Sequence, residues 1–246
     1  MMEPVLMTLF KMLFPQPRVR GLLVIFALVS FGLASTAFLE IYAKDLEWTA
    51  GFYSPGGSND GWVQARYKPW GLIYDYGEIP GIAVAIGALI LFVGSSLGKA
   101  SARYKKPCLV VVLTVIIGPG ILVNGLLKNC WGRPRPIDIT AFGGTKEYRN
   151  VFQPGGPGEG KSFTCGHCAI AFSISAVGAF FPYFPSLSIV CLGSGIAYGI
   201  ITGVARIAQG GHFPTDVLWS GVVVFITIAF LYYVVFRIPD EVQDSE

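Results

Sequence analysis

The chain has 246 residues, of which 53% are hydrophobic and 13% are charged, and its mean hydropathy is +0.58. This composition excludes an ordinary soluble domain. The formal net charge of +3, without a long basic run, argues against a nucleic-acid-binding arm. Six mostly apolar runs predict membrane spans, at residues 21–39, 80–98, 107–127, 168–184, 187–205 and 213–236. We therefore predict an all-α integral membrane bundle of about six transmembrane helices, forming a single domain over residues 1–246.

Basic residues indicate the orientation of the bundle. Lys11, Arg18 and Arg20 precede the first span, and residues 99–106 carry four cations and no acid. The positive-inside rule places both segments in the cytoplasm, so both termini face inward and the residues suited to chemistry face outward. The first run could also be a signal peptide, but its length favours an uncleaved span.

The segment 41–79 is rich in aromatic side chains, which are Tyr42, Trp48, Tyr53, Trp62, Tyr67, Trp70, Tyr74 and Tyr76. Tryptophan and tyrosine concentrate at membrane–water interfaces, so an aromatic belt at the headgroup level is the simpler interpretation. The alternative is a lateral wall that guides a lipid into a site at the outer face.

A cationic cluster, KNCWGRPRP, follows the third predicted span and contains Lys128, Arg133 and Arg135. Basic residues at a membrane boundary commonly anchor to headgroups. We expect that role for Arg133, or a contact with a second phosphate or sugar. The Gly- and Pro-rich segment 137–166 predicts a surface loop over the outer mouth of the bundle.

The two histidines, His167 and His212, are the strongest chemical signal. Asp216 follows His212 by four residues, so at the start of a helix both lie on one face, and the carboxylate can accept from one imidazole nitrogen. An unpaired Asp216 inside the last apolar run would be costly, which makes His212 its expected partner. An imidazole oriented by a carboxylate among fixed cations, such as the nearby Arg206, can attack phosphorus. These residues predict a membrane phosphatase.

His167 stands at the start of the fourth predicted span, directly after Cys165 and Gly166. The free amides of these three residues, backed by the helix dipole, would form an anion site. Gly166 would let the backbone approach an oxyanion closely. The chain thus contains a cationic cluster, an amide cradle and a His–Asp pair, in three separate stretches.

A rival interpretation comes from the cysteines. Cys165 and Cys168 form a C-x-x-C sequence of the kind used in disulfide exchange, with Cys130 as a third redox partner. A zinc site built from Cys165, Cys168 and His212 is a further alternative, although no second close cysteine pair is present. Neither alternative gives the cationic residues and the His–Asp pair a role, so the phosphatase interpretation is favoured.

In this order, the three stretches resemble the type 2 phosphatidic acid phosphatase (PAP2) superfamily, whose pattern is KxxxxxxRP, then PSGH, then SRxxxxxHxxxD. The matching residues, all within 128–216, are Lys128, Arg135, Pro136, Gly166, His167, Arg206, His212 and Asp216. Thr164 and Cys165 stand where the family has proline and serine, and Ala205 replaces the serine before the arginine. The surrounding residues are most similar to bacterial lipid A phosphatases, nearest to the 4′-phosphatase branch.

The resemblance implies roles for these residues. The implied phosphate-binding residues are Lys128, Arg135, Arg206, Cys165 and Gly166. His212 would attack phosphorus and form a phosphohistidine, oriented by Asp216, and His167 would protonate the leaving oxygen. A thiol is a weak donor, so Cys165 is expected to act through its backbone amide. No metal or other cofactor is implied, because fixed cations stabilise the charge on the transferring group.

The implied partner is a membrane lipid, with lipid A first; its charged headgroup would reach Lys146, Arg149 or Lys161. Undecaprenyl pyrophosphate, phosphatidylglycerol phosphate and phosphatidic acid suit the same core and remain alternatives. The expected location is the bacterial inner membrane, with the site on the periplasmic face. We expect neither a nucleic acid nor an obligate protein as partner.

Overall fold

A computed structural model describes residues 16–239, so Lys11 and the chain from residue 240 onward lie outside the described residues. The described part contains seven helices of two turns or more and no β-strand. They are α1 (Pro17–Ile41), α2 (Lys44–Ala50), α3 (Trp70–Ser96), α4 (Ala102–Cys130), α5 (Gly166–Phe180), α6 (Pro185–Ala208) and α7 (Pro214–Val235). Short 3₁₀ turns occur at Val63–Arg66, Pro136–Asp138 and Thr140–Phe142.

Five of these helices, α1, α3, α4, α6 and α7, are long and apolar enough to cross a membrane. Many of their large apolar side chains are exposed, such as Phe26 and Phe31 on α1 and Ile86 and Ile90 on α3. Apolar side chains on the outside of a helix bundle are suited to contact with lipid. The predicted all-α membrane bundle is confirmed.

The fourth predicted span, 168–184, differs from the structure, in which α5 covers Gly166–Phe180. Pro182 follows closely and cannot donate to a continuing helix, which explains the early end. Gly166–Ser173 is α-helical and Ile174–Phe180 is a 3₁₀-helix, so α5 rises roughly 26 Å, less than the hydrocarbon core of about 30 Å. It lies among α4, α6 and α7, and most of its side chains are buried. The sixth helix is therefore a short central one.

Glycines on α6 allow close packing against α5. A methyl group on Gly199 would lie 2.2 Å from the ring of Phe172, and one on Gly195 would lie 2.3 Å from the hydroxyl of Ser175. Helices in membranes associate through this kind of small-residue contact.

The upper end of the bundle is the end at which α4 ends and α5 and α7 begin. A buried hydrophobic cluster closes it, built on Trp62, Phe142, Phe213 and Ile139. Burying each of these large side chains contributes about 1.5–3 kcal/mol. The segment 41–79 therefore contains both kinds of aromatic residue: Trp62 is part of this core, whereas others are exposed, namely Tyr42, Trp48, Tyr67, Tyr74 and Tyr76.

The packing of α6 gives a first prediction. Gly199→Ala should destabilise the protein by about 1–3 kcal/mol, because the added methyl group meets the buried Phe172 ring. Gly193→Ala is the matched control on the same helix, since no atom lies within 4 Å of its added methyl group. Unfolding in detergent, followed by circular dichroism, measures both. Equal unfolding midpoints for the two variants would contradict this packing.

Candidate active site

The three sequence clusters meet at the upper end of the bundle. Lys128 lies near the end of α4, His167 is in the first turn of α5, Arg206 is in the last turn of α6, and His212 leads into α7. The charge of Lys128 interacts with those of Arg135 and Arg206, and both histidines interact with Lys128 and Arg206. The structure thus brings together the cations and imidazoles that the sequence singles out.

His212 is 1% exposed, and its Nδ1 lies 2.6 Å from the carbonyl oxygen of Ser162. A carbonyl only accepts, so Nδ1 carries the hydrogen and Nε2 keeps a free lone pair. Asp216 Oδ2 is 3.7 Å from Nδ1, which is an ion-pair distance. The expected hydrogen bond from His212 to Asp216 is therefore corrected: the imidazole donates to Ser162, and Asp216 acts through its charge.

Complete burial lowers the pKa of His212 to about 4, and the charges of Arg206 and Lys128 act in the same direction. Asp216 opposes the shift without cancelling it. The imidazole is consequently neutral at neutral pH. A neutral imidazole with a free Nε2 has the protonation state that a nucleophile needs.

Asp216 accepts hydrogen bonds from three different residues. Its Oδ2 lies 2.6 Å from the hydroxyl of Ser162 and 2.8 Å from the amide of Phe213, and its Oδ1 lies 2.7 Å from Nη1 of Arg133. Ser162 thus links the histidine and the aspartate, since its carbonyl accepts from His212 and its hydroxyl donates to Asp216. Sequence reasoning missed Ser162, because neither its residue type nor its spacing marks it.

Arg133 is completely buried, so the expected headgroup contact is wrong. All five of its N–H groups have acceptors, which are the carbonyl of Arg149, the hydroxyls of Thr215 and Tyr148, and the carboxylates of Asp216 and Asp45. The guanidinium also lies 4.4 Å from the ring centre of Phe213. A cation buried in this way must be paired, and here two carboxylates pair it.

Asp45 connects this arginine to the first part of the chain. It lies on α2 and accepts from Arg133 Nη2 at 2.6 Å and from the amide and hydroxyl of Thr215 at 2.9 and 2.8 Å. Tyr148, which also contacts Arg133, donates to Glu40 at 3.0 Å near the end of α1. The start of α7 is thereby tied to α1 and α2.

The turn before α5 matches the expected anion cradle in part. Within the described residues, no hydrogen bond engages the amides of Gly166 and His167. The amide of Cys165 instead donates to the carbonyl of Asp216 at 3.5 Å. The sulfur of Cys165 accepts a hydrogen bond from the amide of Cys168. The expected cradle is thus reduced to two amides, because that of Cys165 faces the protein.

Lys128 and Gly166 share a contact with Asn124, which sequence reasoning also missed. The Lys128 ammonium lies 3.5 Å from the side-chain oxygen of Asn124, whose amide nitrogen donates to the carbonyl of Pro119. A side chain on Gly166 would collide with Asn124 at 2.6 Å. Position 166 must therefore be glycine for the backbone to lie this close to Asn124.

Arg135 and Arg206 face a cavity of about 560 Å³ beside the histidines, lined also by Arg66, Tyr74, Asp75 and Gln209. The Nε–H groups of both arginines are buried and have no hydrogen-bond partner among residues 16–239. Gln209 accepts from Arg206 at 2.5 Å. Buried donors without a partner are rare, and two of them on neighbouring arginines indicate a site for an anion.

The arrangement disfavours the two rival interpretations. Cys165 and Cys168 pair as a disulfide that is completely buried, whereas an oxidoreductase needs sulfur atoms that a partner can reach. Cys130 is exposed and not bonded to either of them. Within residues 16–239 no three His, Cys, Asp or Glu side chains group as metal ligands.

Comparison with known proteins places these features in a family. The family model described as PAP2 superfamily matches residues 107–240. The chain is 27% identical to a lipid A 4′-phosphatase of Francisella tularensis subsp. novicida, over 87% of this chain and 96% of that protein. It is 35% identical to a lipid A 4′-phosphatase of Rhizobium leguminosarum, over 52% and 56%, and 31% identical to a lipid A 1-phosphatase of Rhizobium etli, over 55% and 57%. No solved structure gives a significant match.

The burial of Arg133 gives a second prediction. Arg133→Gln leaves Asp216 and Asp45 buried without their cation, which should destabilise the protein by roughly 3–5 kcal/mol. Arg149→Gln is the control, because only the backbone carbonyl of Arg149 contacts Arg133. Thermal unfolding in detergent compares the two. A headgroup anchor would instead leave both variants as stable as the parent.

Proposed function

The chain belongs to the PAP2 superfamily and is a membrane lipid phosphatase, and on that premise we propose that it hydrolyses a phosphate monoester of lipid A through a phosphohistidine. We also propose that it lies in the bacterial inner membrane with its site on the periplasmic face. The basic segment 99–106 joins α3 and α4 at the end of the bundle opposite the site, which supports this orientation. Undecaprenyl pyrophosphate and phosphatidylglycerol phosphate remain the alternative substrates.

One observation carries the proposal: the free Nε2 of a neutral, buried histidine lies among cations with unpaired donors. Lys128, Arg135 and Arg206 bind the phosphoryl oxygens and offset the charge that develops in the transition state. The amides of Gly166 and His167 complete the phosphate site.

The reaction then proceeds by two displacements. The Nε2 lone pair of His212 attacks phosphorus, and the bond from phosphorus to the leaving oxygen breaks as His167 donates its proton to that oxygen. The imidazole of His212 becomes positively charged, and Asp216, 3.7 Å from Nδ1, stabilises this charge. Nδ1 continues to donate its hydrogen bond to the carbonyl of Ser162. Water next attacks the phosphohistidine and returns a proton to His167, releasing phosphate and free His212.

The headgroup beyond the phosphate occupies the polar cavity lined by Arg66, Asp75 and Gln209. Of the three cations expected to reach it, Lys161 lies nearest the phosphate site, since its charge interacts with that of Lys128. The side chains of Lys146 and Arg149 are turned toward backbone carbonyls of their own loop. The similarity to lipid A phosphatases supports a phosphorylated sugar at this position.

The nucleophile gives a third prediction. His212→Ala should abolish phosphate release from a lipid phosphate by the purified protein. Asp216→Asn should lower stability, because Arg133 loses one of its two carboxylates, and should lower kcat by roughly 10²–10⁴-fold, because the cationic intermediate loses its countercharge. Glu47→Gln, which removes an exposed carboxylate paired with Lys44, is the control and should keep the parent rate. Phosphate release by His212→Ala at the rate of the parent would exclude this nucleophile.

The substrate gives a fourth prediction. Expression in a bacterium whose lipid A carries both phosphates should yield lipid A lacking one phosphate, as measured by mass spectrometry of extracted lipids. Cells expressing His212→Ala should keep both phosphates. If both phosphates stay in place with the parent protein while another lipid phosphate is depleted, the lipid A proposal is wrong and the phosphatase assignment stands.

A further inference from the structure

His167 has a carboxylate neighbour from a distant part of the chain. Oε1 of Glu78 lies 3.5 Å from Nδ1 of His167, an ion-pair distance. One helical turn earlier on α3, Tyr74 stacks on the same imidazole, with ring centres 5.4 Å apart and planes inclined by 13°. Both residues precede the segment 107–240 that matches the family. Their contacts are therefore an addition to the family motifs.

We infer that Glu78 is a positioning residue for His167, which orients the imidazole and keeps on it the proton that the leaving oxygen receives. This inference rests on the proposed function, in which His167 is the acid of the first step. Tyr74 fixes the plane of the ring, and Glu78 fixes which nitrogen faces the protein. Nδ1 then faces Glu78, and Nε2 is left to donate to the leaving oxygen.

The charges around His167 explain why a carboxylate is needed there. The groups that face it are Glu78 and Tyr74 from α3, Lys128 from α4 and Arg206 from α6. Two of these groups are cations, and they disfavour a protonated imidazole. Glu78 supplies the opposing negative charge. Without Glu78, the cations that bind phosphate would disfavour the protonated imidazole, and His167 would lack the proton that the first step consumes.

The two histidines lie in different surroundings: burial and nearby cations lower the pKa of both, but at His167 the charge of Glu78 opposes the shift. His212 is sealed from solvent and neutral, with Asp216 bonded to Arg133 and Ser162. His167 is partly accessible, and the side chain of Glu78 is 37% exposed. During one turnover the Nε2 proton of His167 goes to the leaving oxygen and is replaced from the attacking water, while Glu78 stays beside Nδ1.

The test compares two substrates of the full-length protein in detergent. The leaving group of short-chain phosphatidic acid is the alkoxide of diacylglycerol, which needs a proton. The leaving group of p-nitrophenyl phosphate is a stable phenolate, which does not. Glu78→Gln should lower kcat/KM for phosphatidic acid by roughly 10–100-fold, with less than about a threefold change in kcat/KM for p-nitrophenyl phosphate, because kcat/KM reports the first displacement and not the shared attack of water. Glu78→Asp, which keeps the charge, should recover part of the lost rate.

Two controls make the result specific. Glu47→Gln should leave both substrates at the parent rate, since Glu47 is exposed and paired with Lys44. His167→Asn should show the same substrate dependence as Glu78→Gln. The double variant should be no slower than His167→Asn alone, because a positioning residue has no effect once the acid is gone.

The outcomes separate this inference from the proposed function. Equal losses on both substrates, no loss on either, or additive losses in the double variant would overturn the role of Glu78 and leave the phosphatase intact. If Glu78→Gln does not fold, the rates of Glu78→Asp on the two substrates decide in the same way. Failure of the parent to hydrolyse both substrates and lipid A as well would instead overturn the proposed function.

Discussion

The buried ion pair between Arg133 and Asp216 determines the geometry of the site. Its two atoms lie 2.7 Å apart, and both side chains are completely buried. Because Asp216 is fixed there, its second oxygen can accept a hydrogen bond from the hydroxyl of Ser162. The carbonyl of Ser162 in turn accepts a hydrogen bond from Nδ1 of His212. The free nitrogen of His212, the proposed nucleophile, is thus oriented by a chain of contacts that starts at Arg133. Removing a buried partner of this kind leaves an uncompensated charge, which is costly.

Arg133 also connects residues 107–240, which match the family model, to the helices that precede them. Its second carboxylate, Asp45, belongs to α2, and Glu78 and Tyr74 belong to α3. The helices α2 and α3 therefore contribute to the site, because they supply the second carboxylate behind Arg133 and the surroundings of His167. A second arginine is held in a similar way. Gln209 accepts a hydrogen bond from Arg206 and donates one to the carbonyl of Trp70 at 3.0 Å, which fixes Arg206 against the start of α3. The aromatic-rich segment 41–79 consequently contributes contacts to the site.

The sequence predicts the features that depend on local spacing. Hydropathy indicates the bundle and its long helices, and the distance of four residues from His212 to Asp216 indicates that they approach each other. Contacts between distant segments could not be predicted: Ser162 and Glu78 have no distinguishing pattern, and they meet the histidines only when helices pack. Arg133 is the clearest case, since a cation in a boundary loop has the same local sequence whether it faces headgroups or buried carboxylates. The short α5 also required the structure, because hydropathy continues past Phe180 while Pro182 ends the helix.

The central claim is that phosphate passes through His212 before it reaches water. The stereochemical course at phosphorus tests it most directly, using a lipid phosphorothioate monoester made chiral at phosphorus with ¹⁸O and hydrolysed in water enriched in ¹⁷O, so that the released thiophosphate is itself chiral. Each in-line displacement inverts the configuration, so two displacements through a phosphohistidine predict overall retention in the transferred phosphoryl group. Inversion would mean that water attacks the substrate directly, and it would contradict the role assigned to His212.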